Sequence, residues 1–220
     1  MKSGRRISHP PDLNGNTSYL CIVNSTTENP IPVAVYAEAT PNPASMKFVL
    51  NRNLLSEGSV EFLKKDDAIN CPLAYQLLSF SGISSVFMTA NFITLTKSSA
   101  LDWYEFITIM REFIRDYVAS GKPVFTGSVG QIADPAIPQT KTQSAVESRI
   151  VEVLDEYVKP AVEQDGGAIV FKSFDDGIVT LIMKGACSGC PSSAITLKSG
   201  IENLLRQMVP EVTEVVAEEL

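Results

Sequence analysis

The sequence predicts an α+β protein of two small α/β domains, each a short hairpin-based sheet covered by helices, joined by a flexible linker. Three observations predict it. Both halves contain paired strand-like runs around turn residues. Helical periodicity accompanies each pair. Between the halves, residues 120–144 hold three prolines and three glycines with little periodicity, which is linker composition. Charge divides the chain at nearly the same place. Residues 1–145 carry 12 basic and 12 acidic side chains, residues 146–220 carry 6 and 13, so the whole net charge of −7 sits in the last third.

Residues 1–30 are polar and turn-rich, and read as an arm or an edge strand around the apolar island Tyr19 to Val23. The first domain spans 31–119. Ile31 to Tyr36 is strand-like, and Thr40 to Pro43 (TPNP) turns the chain because proline fixes φ and restricts its predecessor. Lys47 to Leu50 resumes a strand, and Cys71-Pro72 opens a short helix, Leu73 to Phe80. Ser84 to Met88 and Phe92 to Lys97 are strands around the turn Ala90-Asn91. Phe106, Ile107, Met110, Phe113, Ile114 and Val118 then keep the helical period over Leu101 to Ala119.

The second domain spans 145–220, its first helix starting near Ser144. Ile150, Leu154, Val158 and Ala161 mark one face, with Pro160 near the end. After the turn Asp165-Gly166-Gly167, strands Ala168 to Phe174 and Ile178 to Met183 meet through Asp175-Asp176-Gly177, a strong hairpin signal. Gly185 to Cys190 is a loop, and Pro191 suits a first helical position. Ala194, Leu197, Ile201, Leu204, Leu205 and Met208 share one face of the following helix, Pro210 stops it, and Val212 to Val216 reads as a last strand. So small a domain gains from a partner, a metal or self-association.

Composition removes several function classes. With 45% apolar and 20% charged residues in 220, the chain is globular, not disordered. No run approaches the apolar length of a membrane span. The negative charge argues against a general nucleic-acid surface. The one histidine, His9, lies in the arm, which argues against Ser-His-Asp or Cys-His catalysis and histidine-built zinc sites. Four cysteines, Cys21, Cys71, Cys187 and Cys190, are too few for a disulfide scaffold. The N-terminal segment has no apolar stretch of a secretory signal, and Arg5 and Arg6 beside two prolines and Asp12 match an amphipathic transit peptide poorly. A reducing, cytoplasmic setting is expected.

The chemistry concentrates in Gly185-Ala186-Cys187-Ser188-Gly189-Cys190-Pro191. Cysteines three apart can aim both sulfurs at one metal centre, and the small residues let the backbone bend round it. The following helix N-terminus favours negative charge, which predicts a lowered thiol pKa and a thiolate ready for a soft metal. Two ligands fall short of the four that clusters and structural zinc take. Cys21 and Cys71 lie far off in apolar surroundings and read as buried or incidental thiols. A second copy of the chain supplies the missing pair most economically. A thiol–disulfide enzyme shares the strand–CxxC–helix order. Here only 30 residues follow Cys190, too few for the later strands of that fold, and the flank is Gly185-Ala186 rather than aromatic. A zinc-bridged interaction module is the third reading.

Two motif sets carry a family resemblance from about Tyr36 onward. Asp165-Gly166-Gly167, the hairpin and GACSGCPSS (Gly185 to Ser193) form one. EATPNPASMKF (Glu38 to Phe48), SSVFMTANFITLTK (Ser84 to Lys97) and Asp102-Trp103 form the other, with no chemistry of its own. Together they resemble the NifU-like (Nfu) family, the first set its C-terminal domain and the second its N-terminal domain. The resemblance implies a non-enzymatic scaffold or carrier. It would bind a 4Fe–4S cluster at a homodimer interface through Cys187 and Cys190, receive it from an upstream scaffold and pass it to apo-proteins. Two cysteine pairs would serve a 2Fe–2S centre as well.

Other features have plain structural readings. Asp165-Gly166-Gly167 is a tight turn or an orienter of the cysteine loop. The Pro-Asn-Pro turn is rigid geometry or a client-docking loop. Asp175 and Asp176 make a hairpin turn, Trp103 a packing anchor, and Glu211, Glu214, Glu218 and Glu219 a solvated end.

Overall fold

A computed structural model describes residues 32–98, 102–126, 144–188 and 191–219. The arm with Cys21 and His9, most of the linker, and Cys190 lie outside the described residues.

The first sheet is antiparallel throughout, in the order β1-β2-β5-β4-β3. Its strands are β1 (Val35–Ala39), β2 (Ser45–Leu50), β3 (Ser59–Phe62), β4 (Ile83–Thr89) and β5 (Phe92–Lys97). The β4–β5 hairpin turns at Ala90-Asn91 as expected. Strand β3 was not expected from the sequence; it is four residues long and alternates Val60 and Phe62 inward. Alternation also sends Met46, Phe48, Leu50, Val86, Met88, Ile93 and Leu95 into one core. Helices α1 (Pro72–Leu77) and α2 (Trp103–Ala119) close that core with Leu73, Leu77, Met110 and Ile114. Asp102 caps α2 by accepting from the Tyr104 amide at 3.0 Å. Trp103 is buried at the helix start, as its anchoring role predicts.

The second sheet has the order β6-β7-β8, with β6 (Gly167–Asp175), β7 (Ile178–Gly185) and β8 (Glu214–Glu219). Asp176 at φ 47° and Gly177 at φ 85° form the tight β6–β7 turn. Strand β8 runs parallel to β7, joined to it through helix α5 (Pro191–Met208), which begins at Pro191. Helix α3 (Ala145–Val153) starts at Ser144 with a complete capping box: the Ser144 hydroxyl accepts from the Glu147 amide and the Glu147 carboxylate accepts from the Ser144 amide. A π-turn (Leu154–Val158) links it to α4 (Lys159–Gln164). Proline at 160 has no N–H for the residue four back, and the wider turn accommodates that. The buried face therefore runs Ile150, Val153, Leu154, Val158 and Val162; Ala161, expected on it, is exposed. Val179, Leu181, Met183, Ile201, Leu205 and Val215 complete this second core.

Both faces of the first sheet are covered. Helices cover one, yet Lys47, Phe87, Phe92 and Thr94 on the other are also buried. An antiparallel sheet with one helical layer ordinarily leaves its far face wet. Here Pro32–Leu220 form one compact unit, and β7 lies against β4 and β5, burying Ile182 and Lys184 on its non-core face.

Phe48 fills the first core, whereas Tyr36 on the neighbouring strand is 64% exposed. Phe48→Ala should cost about 3–5 kcal/mol and Tyr36→Ala less than about 0.5 kcal/mol, read by urea unfolding.

Candidate metal centre

The cysteine loop leaves β7 through Gly185, whose φ of 63° suits glycine. Short turns then tie it down: the Cys187 amide donates to Lys184 O, the Ser188 amide to Gly185 O, and the Ser188 hydroxyl to Met183 O at 2.6 Å. The Asp165-Gly166-Gly167 turn presses on it from the other side. Gly167 pairs with Gly185 across the β6–β7 ladder, and a Cβ on Gly167 would stand 2.5 Å from Cys187 Sγ and 2.7 Å from Lys184 O. The Ala186 amide donates to Gly166 O at 3.2 Å. The motif is thus both a glycine-requiring turn and the seat of the loop.

Cys187 is 5% exposed and packs into the second core. Burial, and then the charges of Asp165 and Glu61, push its thiol up to about 12. The helix N-terminus read from the sequence predicts the opposite sign, but α5 begins four positions beyond Cys187 and the thiol is packed into the second core. Cys190, adjacent to that helix, lies outside the described residues.

The cover is one transverse row of the first sheet. Glu38 pairs with Lys47, Lys47 with Thr94, Thr94 with Phe87 and Phe87 with Glu61, one residue from each of the five strands. All face away from the first core. Lys47 Nζ donates to Gln164 O at 3.1 Å and pairs with Glu38 at 3.3 Å. The Thr94 hydroxyl donates to Gly166 O at 2.6 Å. The Phe87 ring lies 2.9 Å from where a Gly185 Cβ would stand. Glu61 Oε1 accepts from the Gly185 amide at 3.2 Å. Beyond the row, Asn42 Nδ2 donates to Ala186 O at 3.2 Å and Ser188 O at 3.0 Å. The Ala44 amide donates to Asn42 Oδ1 at 2.9 Å and so fixes which end of the amide faces the loop.

Lys47 and Lys184 are buried at this contact and Glu61 is half-buried. Burial raises the Glu61 carboxyl to about 7, against the lowering effects of the Gly185 amide and Lys184. Burial lowers the Lys184 ammonium, against the attraction of Glu61. Glu61 Oε2 is buried with no hydrogen-bond partner among the described residues.

The other expected residues sit apart. Cys71 precedes α1 inside the first core, its Sγ 3.9 Å from Met88 Sδ, and burial raises its thiol to about 11. It shares no core with Cys187. Among the described residues, no group of three or more His, Cys, Asp or Glu could hold a metal ion. Glu218 pairs with Lys172 at 2.6 Å. Lys47, Glu61, Phe87 and Thr94 were not singled out in the sequence, whereas Asn42 lies in the Pro-Asn-Pro turn read there as rigid geometry or a client-docking loop. The available signal was SSVFMT and FITLTK, where apolar residues fall on both strand faces and so call for cover on both.

The fold and loop define a class: an α+β protein that presents a cysteine loop between a strand and a helix. Family models identify the member. Residues 150–216 match the NifU-like domain, and residues 35–121 match the scaffold protein Nfu/NifU N-terminal domain. The NFU1 iron-sulfur cluster scaffold homolog, mitochondrial, of Homo sapiens is 38% identical over 198 residues, covering 83% of this chain and 74% of that protein. NifU-like protein 4, mitochondrial, of Arabidopsis thaliana is 39% identical over 187 residues, covering 84% of this chain and 65% of that one. A solution structure of a NifU-like protein from Saccharomyces cerevisiae aligns over 57% of this chain and 100% of its own at TM-score 0.40 and 18% identity. The chain belongs to the NifU-like (Nfu) family. The cytoplasmic expectation is overturned, since the human and Arabidopsis relatives are named as mitochondrial. Sparse cysteines indicate a reducing setting, and that does not single out the cytoplasm.

The raised Glu61 carboxyl has a definite sign. Its contribution to stability is fully present below its ordinary value of 4.5 and is lost as pH rises through about 7. Stability should fall by up to roughly 3 kcal/mol between about pH 4.5 and pH 8. Glu61→Gln should flatten that part of the profile in urea unfolding at a series of pH values.

Proposed function

We propose that this chain is an iron–sulfur cluster carrier, not an enzyme, working in mitochondria. Cys187 and Cys190 of two chains hold one 4Fe–4S cluster, taken from an upstream scaffold and passed to apo-proteins. The observation that carries this reading is the GACSGCPSS loop between a strand and a helix in a chain that offers that loop no third described ligand. Cys71 belongs to the other core, so a second chain is the natural source of two more thiolates. The names of the human and Arabidopsis relatives support the cargo and the compartment. Transfer needs only ligand exchange: each iron–thiolate bond formed with an acceptor replaces one to the carrier, with no change in oxidation state.

One feature weighs against the thiol–disulfide alternative. A redox nucleophile needs an accessible thiol of lowered pKa, and Cys187 is buried with its thiol raised.

Anaerobic reconstitution with iron and sulfide tests the proposal. The full chain should turn brown, dimerise by light scattering and bind about four iron and four sulfide per dimer. Cys187→Ser or Cys190→Ser should abolish sulfide uptake. Zinc alone, or full uptake by either variant, would overturn it.

A further inference from the structure

The Pro-Asn-Pro turn shows no chemistry in the sequence, and the structure gives its central residue a specific task. Pro41 and Pro43 are exposed, whereas Asn42 between them is 2% exposed. Its backbone is fixed first. Pro43 restricts the residue before it, and the Asn42 carbonyl accepts from the Ser45 amide at 2.9 Å and from the Thr40 hydroxyl at 2.9 Å. The side chain is fixed next, because the Ala44 amide holds Oδ1 and leaves Nδ2 to face the cysteine loop. Nδ2 donates to Ala186 O at 3.2 Å and to Ser188 O at 3.0 Å. These carbonyls belong to the peptide unit before Cys187 and to the one after Ser188. Two planar units held by one amide leave little freedom to the φ and ψ angles of Cys187 and Ser188 between them. The Cys187 amide itself is weakly held, 3.4 Å from Lys184 O.

We propose that Asn42 is a positioning residue for cluster binding. On the carrier reading above Cys187 is a ligand, and Asn42 holds the backbone that carries it without touching its sulfur. The Cα–Cβ bond of the ligand is thereby kept in one direction. The sulfur, packed into the second core in this structure, can then change place only by rotation about that bond. A backbone ordered in advance loses less freedom when its side chain takes a metal. Groups that orient a ligand change metal affinity by about ten- to a hundredfold. Asn42 thus serves the loop of its own chain rather than a client.

The test compares the full wild-type chain with Asn42→Asp, Asn42→Ala and Ile114→Val. Aspartate keeps the acceptor for the Ala44 amide and lacks both donors. Ile114→Val weakens the first core away from the loop and controls for lost stability. After anaerobic reconstitution, both Asn42 variants should lose their cluster to a chelator about tenfold faster than wild type. The electron paramagnetic resonance spectrum of the reduced cluster should shift in both. Ile114→Val should match wild type in rate and spectrum. In the cluster-free chains, hydrogen exchange at the Cys187 and Ser188 amides should quicken about tenfold in the Asn42 variants alone. Wild-type rates and spectra in Asn42→Asp, or the same changes in Ile114→Val, would overturn the proposal. A wild-type chain that binds no cluster would overturn the carrier reading instead, and the exchange contrast would still decide whether Asn42 holds the backbone of Cys187.

Discussion

Absent Cβ atoms set the geometry of the cysteine loop. Gly167 and Gly185 face each other across the β6–β7 ladder, and Gly166 precedes them at φ 84°. A side chain on Gly167 would meet Cys187 Sγ and the Lys184 carbonyl; one on Gly185 would meet Gly166 O and the Phe87 ring. One on Gly166 would crowd Thr94 Oγ1 at 3.1 Å and Thr40 Cγ2 at 3.2 Å. The same three positions therefore let the loop close on its own hairpin and let the first domain close on the loop. The first contact is a matter of packing within the second domain. The second brings the polar row within hydrogen-bonding distance.

That row converts strand register into electrostatics. A five-strand antiparallel sheet places one residue per strand on a transverse line, and here the line reads Glu38, Lys47, Thr94, Phe87, Glu61. Acids end it, Lys47 lies over the Phe92 ring at 4.6 Å, and the hydroxyl in the middle meets the Gly166 carbonyl. Covering the line costs Glu61 its hydration, and that explains why its carboxyl rises despite a basic neighbour. The Cys187 thiol rises for the same reason, with both nearby acids adding to it. Burial thus suppresses charge on the Cys187 thiol and on the Glu61 carboxyl alike.

Much of this fold was legible locally. Turn residues and period-two runs placed β4, β5, β6 and β7, and Ser144 and Pro191 marked helix starts, whereas α2, read from Leu101, begins at Trp103 behind its Asp102 cap. The misses were non-local. Strand β3 is short, and its pairing partner is 20 or more residues away along the chain. The parallel pairing of β8 depends on a crossover through α5. The shift from Ala161 to Val162 comes from a π-turn that a helical period cannot anticipate. At the site, the loop itself was readable because its chemistry lies in seven consecutive residues. Glu61 and Thr94 were not, because their meaning comes from a partner surface about 70 to 120 positions later. The thiol's sign was misread for that reason: a helix terminus is written beside the cysteine, and its burial is not.

The contact between the two cores combines polar and apolar terms. Hydrogen bonds from Asn42, Lys47 and Thr94 replace bonds to water, so each contributes about 1 kcal/mol to the contact, well below its vacuum strength. The Glu61–Lys184 pair behaves likewise, since its desolvation offsets much of its attraction. Phe87 and Ile182 supply the apolar area of the contact. Phe48 on one side and Leu205 on the other belong to separate cores. The residues of this contact therefore stand apart from both cores, and a substitution among them acts on the contact more than on either core.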